Sequence, residues 1–216
     1  MAKVRKETNY NEVKHKYKKN QHWQAKTQDF KHEQAQKTKI RRMITFPDKK
    51  YDIIYADPAW DVKAGWDKSY GISMPLKYPT MSVNDIKNLP VKNISNTNCK
   101  LYLWTINKYL KESFDVIDAW GFKYSTTLLW VKKPKGCGLG GTFSTNVEYL
   151  LFASKGKQNA IKKHTRCWWE LPRSHHSKKP DFFRDMIAET YENKEKKIEL
   201  FARQRFDGWD AWGNEI

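Results

Sequence analysis

Five short apolar runs, each followed by turn-forming or amphipathic sequence, restrict this chain to a layered α/β architecture. They occupy residues 51–56 (YDIIYA), 101–104 (LYLW), 127–131 (TLLWV), 149–153 (YLLFA) and 197–202 (KIELFA). Runs of this length, rich in β-branched and aromatic residues, read as buried strands, and amphipathic segments between them read as covering helices. Ser82, with Asp85 three residues on, predicts a helix start, and Pro90 closes that helix. Leu110, Phe114, Ile117 and Trp120 recur at helical spacing ahead of Gly121, a C-cap. A further helix over 180–191 opens on Pro180 and buries Phe183, Met186 and Ile187. Residues 61–80, holding Gly65, Gly71, Pro75 and Pro79, read as a long loop. Residues 155–178 read as basic and irregular, and Gly136–Gly141 as a flexible substrate loop, since it lacks the Lys-Ser/Thr of a nucleotide-triphosphate loop.

Charge is concentrated at one end. The net charge is +17, and residues 1–50 hold fifteen Lys or Arg against five Asp or Glu. Cations in that number point to a polyanionic partner, because neutralising phosphates releases condensed counterions. Tyr10, Tyr17, Trp23 and Phe30 are interleaved with them and can stack on bases. The expected organisation is a basic, partly flexible N-terminal arm over 1–48 and one α/β domain over 49–216. The odd set Cys99, Cys137 and Cys167 has no CxxC spacing, so neither a disulfide framework nor a zinc site is expected. No apolar stretch reaches the ~20 residues of a membrane span, and the basic start has no apolar signal region. These features fit a cytoplasmic protein with no membrane partner; they leave oligomeric state open.

Two strand ends carry polar residues that a plain core would not place there. One is Asp57-Pro58-Ala59-Trp60; the other is Arg203, after Glu199-Leu200-Phe201-Ala202. Ligands of open α/β sheets bind beyond the carboxyl ends of strands. Methylating the 6-amino group of adenine requires such a place. That nitrogen's lone pair is delocalised into the ring, so acceptors for its two N–H bonds stabilise the charge that grows on attack. The Asp57 carboxylate and the Pro58 carbonyl supply two acceptors, and Trp60 offers a flat face for a base swung out of its stack.

Asp57-Pro58-Ala59-Trp60 resembles the DPPW signature of the MT-A70 family, which includes the eukaryotic messenger-RNA adenine writers and many bacterial and phage DNA adenine methylases. Further segments resemble that family in the same order: Tyr78-Pro79-Thr80-Met81-Ser82, the strand from Leu101 to Thr105, the stretch from Gly121 to Lys132, Ser177-Lys178-Lys179-Pro180-Asp181, and 197–203 followed by Gly208-Trp209 and Trp212-Gly213-Asn214-Glu215. The resemblance covers roughly residues 50–216.

It implies a Rossmann-like class I fold dependent on S-adenosylmethionine, in permuted order, with the catalytic strand preceding the cofactor strand. Asp57, Pro58, Ala59 and Trp60 would form the catalytic turn. Asp57, Lys179, Phe201, Arg203, Asn214 and Glu215 would hold the cofactor, and Trp60, Tyr78 and Lys179 would meet the target adenine. The implied function is methyl transfer to adenine in DNA. RNA is the alternative substrate, and a nucleic-acid-binding protein with weak catalysis is the alternative class. Two positions depart from the family pattern. Ala59 stands where the second proline would be, and Gln204-Arg205-Phe206-Asp207 replaces the His-Asn pair of the messenger-RNA writers, so Arg205 and Phe206 are not expected to touch the cofactor.

Overall fold

The computed structural model describes residues 28, 45–61, 66–67, 72–73, 80–133, 142–157, 159–174 and 178–216. Most of the expected arm (residues 1–27 and 29–44), Tyr78, the glycine-rich stretch within 134–141 and residues 175–177 lie outside them. The chain divides into two units: residues 1–43 with 63–79, and residues 44–62 with 80–216. In the first, the stretch read as loop contains a short antiparallel pair, Trp66–Asp67 (β2) with Ile72–Ser73 (β3).

The second unit is built on a seven-stranded sheet. Its strands are β1 (Tyr51–Ala56), β4 (Ser95–Thr105), β5 (Lys123–Lys133), β6 (Val147–Lys155), β7 (Trp168–Pro172), β8 (Lys197–Leu200) and β9 (Asp210–Trp212). Across the sheet the order is β7-β5-β6-β4-β1-β8-β9. Only β6 runs against its neighbours β4 and β5; every other pairing is parallel.

A central parallel strand must bury both faces, and β1 does so by alternation. Ile54 and Ala56 pack with Leu101, Leu103, Val116, Ile117 and Trp120 on one side. Ile53 and Tyr55 pack with Tyr102, Trp104, Trp130, Phe183 and Ile187 on the other. The first face is covered by α1 (Val83–Lys87), α2 (Val91–Ile94) and α3 (Leu110–Ala119); the second by α4 (Asp181–Thr190).

Helix ends follow local chemistry. The Ser82 hydroxyl accepts the Asp85 amide at 3.1 Å and donates to the Asp85 carboxylate at 2.8 Å, capping α1 as the sequence predicts. Gly121 closes α3 with φ +81, the left-handed geometry that glycine reaches without Cβ strain. α1 ends before Pro90, and Pro90 also opens α2, a short helix that was not expected.

Three further expectations need correction. Residues 155–178 are not wholly irregular, because 168–172 pair in parallel with β5 to form the edge strand β7. The C-terminal segment adds β9, whose Asp210-Ala211-Trp212 sequence is too short to show alternation. Finally, strand β8 stops at Leu200, because Phe201 turns away with φ +65.

The topology places a crevice. From β1 the chain moves towards β4, while from β8 it moves outward to β9, and β1 and β8 are parallel neighbours with Ala56 opposite Leu200. Their carboxyl ends therefore part side by side at a switch point, where no connection covers the sheet edge. β1, which ends at Asp57, precedes β8 in the chain.

Candidate active site

Asp57 leaves β1 into a turn that the surrounding chain pins from several sides. The Trp60 amide donates to the Pro58 carbonyl at 2.8 Å, and the Met81 amide donates to the Ala59 carbonyl at 2.8 Å. The Trp60 indole N–H donates to the Trp104 carbonyl at 3.0 Å. Beyond it, the Asp61 carbonyl accepts from the Lys108 ammonium at 2.8 Å and from the Tyr109 hydroxyl. These bonds supply the stiffness that a second proline would give, so Ala59 does not leave the turn loose. The Pro58 carbonyl keeps one lone pair for another donor.

Trp60 is placed differently from the expectation. It is 5% exposed and stacks on Tyr109, with ring centroids 5.3 Å apart and planes inclined by 17°. One ring face is thus already covered, and the indole's role in this arrangement is to anchor the turn. Tyr78 lies outside the described residues.

Lys179 reaches the turn from the far side of the sheet. It precedes Pro180, whose ring holds the preceding residue in extended backbone. Its ammonium donates to both Asp57 oxygens, each at 2.8 Å, and lies 3.4 Å from Glu148 Oε2. Glu148, on β6, also accepts from Lys132 on β5. Lys132, Glu148, Lys179 and Asp57 therefore form an alternating chain of two cations and two anions.

Lys179 is only 13% exposed, so this chain operates in a weakened dielectric. Burial pushes the Asp57 carboxyl above the usual carboxylate range, with Lys179 pulling the other way. Burial also works to raise Glu148, but Lys179 and Lys132 together bring it below its ordinary value. Lys179 itself is raised: burial would lower it, and Asp57 and Glu148 outweigh that.

Beside Asp57, the end of β8 completes a cavity of about 230 Å³ lined by Tyr55, Asp57, Lys178, Lys179, Arg184, Glu199, Phe201, Arg203 and Phe206, among others. Phe201 meets Trp212 edge-on at 5.6 Å. Its left-handed backbone is strained for a non-glycine residue, and such strain gathers at ligand sites. Glu199 Oε2 is buried without a hydrogen-bond partner. The Arg184 guanidinium is 3.7 Å from it, an ion pair but too long for a hydrogen bond. Burial, opposed by Arg184, raises the Glu199 carboxyl to about 7. Arg184 also donates to Asp181 at 2.9 Å and lies over the Phe206 ring.

The cofactor residues expected from the sequence are brought partly together. Lys179, Phe201 and Arg203 line the cavity with Asp57. Asn214 and Glu215 do not line it. Glu215 lies 4.0 Å from Arg203, and the Asn214 amide nitrogen is buried with no hydrogen-bond partner. Phe206, which was not expected here, lines the cavity, its ring lying under the Arg184 guanidinium.

Sequence reasoning also missed Glu148, Lys132, Arg184 and Glu199. The signal was present in part: Glu148 and Glu199 are charges inside otherwise apolar strand sequences, where an unpaired carboxylate is costly. Arg184 sits on a helix, where no local pattern marks it as turned towards a strand carboxylate.

The donors fit S-adenosylmethionine. That molecule carries a sulfonium and an ammonium, which suit Asp57 and Glu199, and a carboxylate, which suits the lining cations. It also has ribose hydroxyls, a chemistry that the unpartnered Asn214 amide matches from outside the cavity lining.

The MT-A70 family model matches residues 51–215. The chain belongs to the MT-A70 family. It is similar to the type II methyltransferase M.MunI of Mycoplasma sp., with 35% identity over 79% of each chain. It is 26% identical to a putative N(6)-adenosine-methyltransferase MT-A70-like protein of Medicago truncatula, over 77% of this chain and 26% of that protein. It is 22% identical to the human N(6)-adenine-specific methyltransferase METTL4, over 78% of this chain and 38% of that protein. This MT-A70 chain is thus a member of an adenine N6-methyltransferase family whose enzymes depend on S-adenosylmethionine, and its seven-stranded α/β sheet agrees with that class of fold. Among its described residues, no helix is long and apolar enough to cross a membrane.

Proposed function

We propose that this MT-A70 member transfers a methyl group from S-adenosylmethionine to the 6-amino group of adenine in DNA. The observation that carries the reading is the position of Asp57: a carboxylate fixed by Lys179 at the mouth of the cavity formed by the ends of β1 and β8.

In this reading Asp57 and the free lone pair of the Pro58 carbonyl accept the two N–H bonds of the target amine. The nitrogen lone pair is thereby turned out of conjugation, and the positive charge that develops as the N–C bond forms meets a preorganised anion. The bound cofactor supplies an electrophilic methyl, and its thioether is the leaving group. The amine then gives up one proton, for which Asp57 is the adjacent acceptor. Lys179 has committed two donors to Asp57 and faces Glu148, so it positions the carboxylate and remains at the edge of the base site. Arg203 is assigned the cofactor's carboxylate. Asn214 and Glu215 are assigned the ribose hydroxyls, and Phe201 a packing contact. DNA is preferred to RNA on the mutual coverage and higher identity with a type II methyltransferase than with the plant adenosine methyltransferase.

Transfer of labelled methyl from S-adenosylmethionine to matched DNA and RNA oligonucleotides tests the reading. Incorporation into DNA, lowered by about 10²–10³ in the Asp57→Ala variant, is expected. Incorporation confined to RNA would overturn the choice of substrate. Equal turnover by both proteins would overturn the mechanism.

A further inference from the structure

A second cavity opens on the sheet face that carries α4. Its volume is about 730 Å³, within the ~300–1,000 Å³ typical of small-ligand sites, and it shares no lining residue with the cofactor cavity. Leu128, Phe152, Trp169 and Met186 form its apolar floor.

The outer wall is the segment 160–167, which is fastened rather than draped. The Ile161 amide donates to the Thr190 carbonyl at 2.9 Å, and His164 Nε2 lies 2.7 Å from the Thr190 hydroxyl. Lys162 pairs with Glu189 at 2.6 Å, and the Cys167 carbonyl accepts from the Leu129 amide at 2.7 Å. Two cations on this wall, Lys163 and Arg166, are exposed and have no ion-pair partner among the described residues.

We propose that this cavity receives one nucleotide of a bound nucleic-acid strand, with its base on the aromatic floor and its phosphate on Lys163 and Arg166. The inference rests on the nucleic-acid reading above and extends it to a second subsite. Charge decides against a neutral occupant, since two unspent cations at the rim of a pocket seek an anion. Polarity decides against a fatty chain. The hydroxyls of Tyr102 and Tyr191 share one hydrogen bond at 2.8 Å, which leaves one of their two protons unspent, and Thr126 and Thr165 add hydroxyls to the lining. A planar heteroaromatic base can stack on aromatic rings and use such groups.

Cys167 lines the cavity and is exposed, whereas burial pushes the Cys99 thiol up to about 12. Alkylation by iodoacetamide, read thiol by thiol by peptide mass spectrometry, therefore reports on this pocket. A saturating single-stranded oligodeoxyribonucleotide is expected to slow Cys167 alkylation about fivefold or more, and a strand of the same length with abasic sites less than twofold, because base stacking supplies the contact. The Lys163→Ser, Arg166→Ser double variant should lose the protection and show a shallower salt dependence of strand binding, with S-adenosylmethionine binding by calorimetry unchanged.

Strand binding by fluorescence anisotropy with Cys167 reacting at its free rate would overturn the proposal. Protection by dAMP or inorganic phosphate at concentrations where the strand gives none would overturn the strand as the source. A protein that methylates no adenine but is protected at Cys167 by the strand would sink the catalytic reading and leave this one standing.

Discussion

Lys179 donates to both carboxylate oxygens of Asp57 at 2.8 Å, although 122 residues separate them in the chain. The pair ties the turn at the end of β1 to the segment that opens α4. On its other side Lys179 meets Glu148, so one ammonium neutralises two carboxylates drawn from two strands.

Lys179→Met removes that ammonium, taking from Asp57 its ion-pair partner and leaving Glu148 with Lys132 alone in a partly buried site. Breaking such a pair costs about 3–5 kcal/mol when fully buried, and somewhat less is expected here. Chemical denaturation should show the loss, and methyl transfer should fall with it. Lys179→Arg, which keeps the charge, should recover most of the stability. An unfolding midpoint in Lys179→Met equal to that of the wild type would show that the ion pair is not formed in solution.

Glu199 gives a pH dependence with a definite sign. Its carboxyl is raised from 4.5 to about 7 in the folded protein, mainly by burial. The folded state therefore binds the proton more tightly than the unfolded chain does. Its contribution to stability is fully present below pH 4.5 and is lost as pH rises through 7. Glu199→Gln should remove this slope, so stability relative to the wild type should improve between pH 4.5 and 7 by at most about 3 kcal/mol. Parallel stability curves for the two proteins across that window would rule out the shift.

Gly213 marks a close crossing of backbones. A Cβ there would lie 2.1 Å from the Ala202 carbonyl oxygen and 2.7 Å from its nitrogen, and neither atom can yield as a side chain would. Gly213→Ala is expected to cost about 1–3 kcal/mol, as overpacking does. It should also weaken S-adenosylmethionine binding, because Asn214 is the next residue. Thermal unfolding and calorimetry together check both parts.

The basic arm has a separate test. Removal of residues 1–40 should weaken non-specific DNA binding and reduce the magnitude of its salt slope, since eleven Lys or Arg against four Asp or Glu, +7 of the net +17, go with it. The methyltransferase domain should unfold at an unchanged temperature. An unaltered salt slope would make the arm a bystander.

Much of the frame was legible in the residues because it depends on local pattern. The run YDIIYA, the Ser82 cap and Gly121 each specify their own backbone through burial, a side-chain hydrogen bond or a positive φ. Strand β7 was hidden because its sequence, Trp168–Pro172, is half-exposed on a sheet edge and lacks a clear period. The expected face of Trp60 was misjudged because nothing local shows that Tyr109, 49 residues later, stacks on it. Phe206 was set aside because its position looked divergent, yet an aromatic ring there is held by Arg184 from a helix.

Sequence by itself determined five of the strands, the placing of Asp57 at the end of one and Arg203 just past another, and membership of an ordered family pattern. These follow from short-range periodicity and from residue types whose chemistry is narrow. Only the tertiary structure decided which charges meet. Glu148 and Lys132 reach Lys179 through the antiparallel return of β6 beside β4 and β5, and Arg184 reaches Glu199 through the packing of α4 on the sheet. Ion pairs depend on distance in space, and a strand order such as β7-β5-β6-β4-β1-β8-β9 sets those distances without leaving a local mark in the chain.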